Sequence, residues 1–111
     1  MKNYPLGEFE EVVMLTVGVL YQKAYGVSIK NEIESRLDRS VSMGALHTAL
    51  IRLEQKGYVN SYQGEITQER AGRPKKYFEI TALGKRAIAH KKQEREALWN
   101  AIPDLALDPN S

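Results

Sequence analysis

Between Leu6 and Leu20 the apolar residues Phe9, Val12, Val13, Val17 and Leu20, with Thr16 among them, recur at steps of three and four, the period of a helix that buries one face. Tyr25-Gly26 interrupts this pattern. Val27, Ile29, Ile33 and Leu37, interleaved with Lys30, Asn31, Glu32 and Arg36, then predict a shorter amphipathic helix that ends at the polar stretch from Asp38 to Val41. Ser42 suits the cap of a third helix, because its hydroxyl can accept a hydrogen bond from an orphan first-turn amide. On that helix Leu46, Leu50 and Leu53 share one face, and Gly44, Thr48, Arg52 and Gln55 lie roughly opposite. Gly57 suits the left-handed residue that closes it.

Two segments rich in aromatic and β-branched residues follow. One runs from Tyr58 through Val59, Tyr62 and Ile66, and the other from Lys75 to Ile80; a polar stretch with Gly72 and Pro74 separates them, which predicts a hairpin. Thr81 can cap a last helix from Ala82, and Pro103 ends it near Ile102. The order helix, helix, helix, hairpin, helix is that of a winged helix-turn-helix: mainly α with a small β-hairpin wing, an α+β fold. The expected organisation is a DNA-binding unit over 1–81, a dimerisation helix over 82–103 in the same folding unit, and a short tail over 104–111.

A chain of 111 residues, 42% hydrophobic and 27% charged, suits one globular domain. It has neither a membrane-spanning apolar run nor a secretory leader, so a cytoplasmic location is expected. With Cys 0, disulfides, thiolate metal sites and thiol chemistry are excluded. The net charge of +2 says little, but its distribution says more. Glu8, Glu10 and Glu11 make the first helix acidic, whereas Arg70, Arg73, Lys75 and Lys76 gather in the hairpin.

These positions supply candidate chemistry. From an exposed helix face, Gly44 and Ala45 allow close approach to DNA, Thr48 can touch a thymine methyl, and Arg52 can reach guanine or phosphate. Ser42 and the free amides beside it suit a backbone phosphate. His47 falls at the flank of the helix, as a base contact or as a packed histidine. Tyr25 offers a phosphate contact or a buried ring. Arg70, Arg73, Lys75 and Lys76 suit phosphate or the minor groove, with one of the two lysines turned away by strand alternation.

On the last helix Leu83, Ala87, Leu98 and Ile102 lie along one side with Trp99 beside them. A single helix has no core of its own for such a stripe, so the first helix and a second subunit are the expected partners. The histidines, His47 and His90, form no metal-ligand spacing, and the glycines form no phosphate loop, so neither an enzyme nor a bound cofactor or metal is expected.

Several blocks resemble the PadR-like transcriptional regulators. They are Leu6-Gly7, Ala24-Tyr25-Gly26, the run from Val41 to Leu46, the run from Arg52 to Tyr58, and the run from Gly72 to Thr81 with Gly84 after it. His47 stands where family members often carry tyrosine. The short segment after Thr81 is similar to the compact subfamily with one C-terminal helix. The resemblance implies a repressor that dimerises through that helix on a palindromic operator in double-stranded DNA, and it permits a small aromatic effector on Trp99, whose other reading is core or dimer packing. The competing reading is a winged-helix protein-interaction module that does not bind DNA specifically; the basic wing favours DNA.

Overall fold

A computed structural model describes residues 3–66 and 74–110. Its elements are α1 (Glu8–Val19), α2 (Gly26–Leu37), α3 (Met43–Gln55), β1 (Val59–Ile66), β2 (Pro74–Ile80), α4 (Ala82–Ala101) and α5 (Asp104–Leu107). The first four helices and both strands follow the sequence pattern. The last helix is an addition, because the residues read as a tail contain one further helical turn. Ile102, forced out of the helical region by the proline after it, ends α4, and Asp104 then places its carboxylate in the first turn of α5.

The core is made where three apolar stripes meet. Val13, Met14 and Val17 of α1, Ile29 and Ile33 of α2, and Leu46, Ala49, Leu50 and Leu53 of α3 are all buried. Val27 and Leu37, expected on the buried face of α2, are 49% and 48% exposed. Only the two isoleucines, one turn apart, face α1 and α3, and Leu37 instead lines a surface groove with Leu15 and Val19 of α1.

Local hydrogen bonds set the boundaries. Ala45 N donates to Ser42 Oγ at 3.1 Å, which caps α3 as predicted. Gly57 closes the helix at a φ of +79°, a conformation open to glycine at little cost. Gly84 N donates to Thr81 Oγ1 at 3.0 Å, and that hydroxyl donates to Gly57 O at 2.6 Å, so one side chain both caps α4 and fixes it to the end of α3.

The strands pair antiparallel with Val59 opposite Ile80 and Tyr62 opposite Tyr77. Val59 and Phe78 turn into the core. The other edge of β2 meets the α1–α2 connection, where Phe78 N donates to Ala24 O at 2.8 Å and Tyr25 bridges to Tyr77. The hairpin is thereby held against the start of α2. Beyond its buried Gly84 and Ala87, α4 leaves the body, tied back by Arg95 to Glu11 at 2.6 Å.

Candidate nucleic-acid interface

The buried leucines of α3 hold it from one side and leave Gly44, Ala45, His47, Thr48 and Arg52 exposed on the other, with exposed Ser42 at its start. His47 is therefore presented to solvent, and the packed alternative is set aside. Gly44, Ala45, Thr48 and Arg52 also line a cleft of about 410 Å³ between α3 and the start of α1, so the side chains grouped from the sequence share one surface.

The wing is braced by aromatic rings. Tyr25 meets Tyr77 edge to face at 5.6 Å, and Tyr77 stacks on Tyr62 at 5.7 Å. Lys75 Nζ lies 4.3 Å from the centre of the Tyr25 ring, whereas Lys76 Nζ lies 3.7 Å from Glu54 on α3. The two lysines thus serve different sides of the strand, as alternation requires. Tyr25 is partly buried, and its ring joins the wing to the start of α2. Arg70 and Arg73, the other wing candidates, lie outside the described residues.

The model of the PadR-like transcriptional regulator family matches residues 15–90. The chain belongs to the PadR-like family. Among solved structures, a PadR-like transcription factor from Bacteroides fragilis is 25% identical, with 83% of this chain and 84% of that one covered and a TM-score of 0.69. A PadR family transcription regulator from Clostridium difficile is 27% identical, with 83% and 92% covered and a TM-score of 0.63. An uncharacterized protein of Lysinibacillus sphaericus is 28% identical over 101 residues, 89% of this chain and 84% of that protein. This PadR-like chain is accordingly a DNA-binding transcriptional regulator with a winged-helix fold, and not an enzyme.

Among the described residues of the regulator, no three metal-ligating side chains stand together, and no helix is long and apolar enough to cross a membrane. On α4, Leu83, Leu98 and Trp99 are exposed, and Ile102, which caps its end, is half-buried. Ala87, expected on the same surface, is instead fully buried in the core of its own chain.

Two residues at this interface escaped the sequence reading. Glu10 of α1 is buried, and its Oε1 accepts from Lys56 Nζ and from Gly7 N, each at 2.7 Å. Burial pushes its carboxyl pKa up, but the hydrogen bonds from Lys56 and Gly7, with the charges of Lys56 and Arg52, outweigh that and hold it below the ordinary value. Glu10 lies three, four and seven residues before Val13, Met14 and Val17, so it sits on the apolar stripe. A carboxylate there demands a cationic partner, and this was the signal available for Glu10 and Lys56.

Proposed function

We propose that this PadR-like regulator is a sequence-specific repressor that acts as a homodimer on a palindromic operator and is released by a small aromatic effector. The observation that carries the reading is the α3 surface: Gly44, Ala45, Thr48 and Arg52 stand exposed opposite a fully buried leucine face. Such a helix can enter the major groove with two small residues at its leading end and two hydrogen-bonding residues behind them.

Ser42 and the first-turn amides of α3 take a backbone phosphate, and His47 reaches the adjoining edge. The wing tip, with Arg70 and Arg73, follows the phosphates beside the recognition helix, and Lys75 and Lys76 add positive charge at its base. Leu83 and Leu98 of α4 and Ile102 at its end pair the subunits in the cytoplasm. Trp99, 62% exposed in one copy, supplies a flat face for the effector in the dimer.

Site selection from random duplex DNA at a fixed salt concentration, run with the parent, Thr48→Ala and Arg52→Ala, tests this. A two-fold symmetric site is expected, with each variant relaxing it at a different base position; a well-placed base contact typically supplies about 1–3 kcal/mol of discrimination. Identical sites from all three proteins would remove α3 as the reading surface and favour a protein partner.

A further inference from the structure

Arg52 projects from α3 four residues before Lys56, so the two cations lie one turn apart on the same face. Lys56 already holds Oε1 of Glu10. The other oxygen, Oε2, is buried and has no hydrogen-bond partner among the described residues. Glu10 and Arg52 line the same cleft, together with Thr48. The Arg52 guanidinium forms no hydrogen bond or ion pair among the described residues, although its charge acts on Glu10. The residue with the orphan acceptor and the residue with the uncommitted donor therefore line one cleft.

We propose that Glu10 is a positioning residue for base readout, its carboxylate on α1 setting the direction of Arg52 on α3. The inference rests on α3 being the recognition helix. A buried acceptor without a partner is costly, so swinging the guanidinium over the cleft towards Oε2 is favoured. A guanidinium has five N–H donors in a rigid fork. It can give one edge to a carboxylate and keep another for the two acceptors of guanine, and the planar grip of the carboxylate then fixes the plane presented to the base. Without Glu10, Arg52 keeps its charge but sweeps freely between base and phosphate. The loss therefore falls on discrimination more than on general affinity.

A double-mutant cycle tests this by measuring affinity for the selected operator and for random duplex at one salt concentration, with parent, Glu10→Gln, Arg52→Ala and the double variant. Loss of one bidentate base contact lowers the operator-to-random ratio about tenfold in Arg52→Ala. Glu10→Gln is expected to reproduce most of that loss while its affinity for random duplex stays within about twofold of the parent. In the double variant the ratio should equal that of Arg52→Ala alone, because positioning has no effect once the positioned group is gone.

A parental ratio in Glu10→Gln, or losses that add in the double variant, overturns the proposal while leaving α3 as the reading surface. A silent Arg52→Ala instead removes Arg52 from the reading surface, and the proposal with it. If Glu10→Gln does not fold, hydrogen exchange at Arg52 Nε in the DNA-free parent decides: protection supports the restraint, and exchange at the rate of a free arginine overturns it.

Discussion

Protonating Glu10 removes the charge that Lys56 and Arg52 face, and it leaves a neutral carboxyl on the buried side of α1. Because the folded pKa lies below the usual value of 4.5, the unfolded chain takes up the proton first as the solution is acidified. The contribution of Glu10 to stability is therefore complete above the unfolded pKa and is lost as pH falls through the lower, folded one. Tyr58, also close to Glu10 and held above its ordinary pKa by burial and by its neighbours Tyr4 and Glu10, stays protonated across this range. Thermal unfolding from neutral to acid pH should show a fall below about pH 4.5 that is shallower in Glu10→Gln, which should itself be less stable at neutral pH. An equal acid slope in both proteins would assign the loss to other carboxylates, of which Glu34, held low by Lys30 and the Val41 amide, is one. The sequence contains this site only as a misplaced charge on a periodic stripe. Periodicity marks such a residue but does not say which distant cation meets it, since Lys56 lies 46 residues away.

Elements were legible where their signals are local. Ser42, Thr81, Gly57 and Pro103 each act within a turn of their own position, and each marks a boundary that the structure keeps. Packing between elements is not local. Nothing in the spacing of α2 says that Leu37 runs past the cover of its neighbours, and a four-residue helix such as α5 is too short to have a period. Gly84 belongs to the same class. The sequence marks it only through the family likeness, yet a Cβ there would lie 2.1 Å from the carbonyl oxygen of Tyr58 and 2.9 Å from Ile80 Cγ2. The backbone oxygen cannot retreat without breaking the bond it accepts from Thr81 N. Gly84→Ala should therefore lower unfolding free energy by about 1–3 kcal/mol, the usual range for overpacking, despite the better helix propensity of alanine. Denaturant titration checks this; a variant as stable as the parent would mean that α4 does not press on the Tyr58 carbonyl and Ile80 as closely as described.

At the scale of the whole molecule, the chain is more extended than its length requires. Its radius of gyration is 16.7 Å, against about 13 Å for a compact chain of this size. Much of the excess lies in α4, whose buried residues are confined to its first two turns while Leu98 and Trp99, near its end, are 73% and 62% exposed. A groove of about 600 Å³ runs between α1 and α4, floored by Val12, Leu15 and Ile88 and edged by charged residues. The sequence marked the apolar residues of α4 but not Leu15, which lies off the buried stripe of α1 and lines this groove instead. Exposed apolar ends beside an apolar groove are what a two-fold pair of α4 helices would cover, each copy serving the other. Sedimentation at micromolar concentration without DNA should give a dimer. Burying a leucine side chain stabilises by about 1.5–3 kcal/mol, and symmetry counts it twice, so Leu98→Asp should weaken association by at least about a hundredfold. The fold of each protomer should survive, since Leu98 touches little of its own core, and circular dichroism can verify that. A monomeric parent, or a variant that still sediments as a dimer, would rule out pairing through α4, and the two-fold symmetry expected of the operator would lose its structural basis.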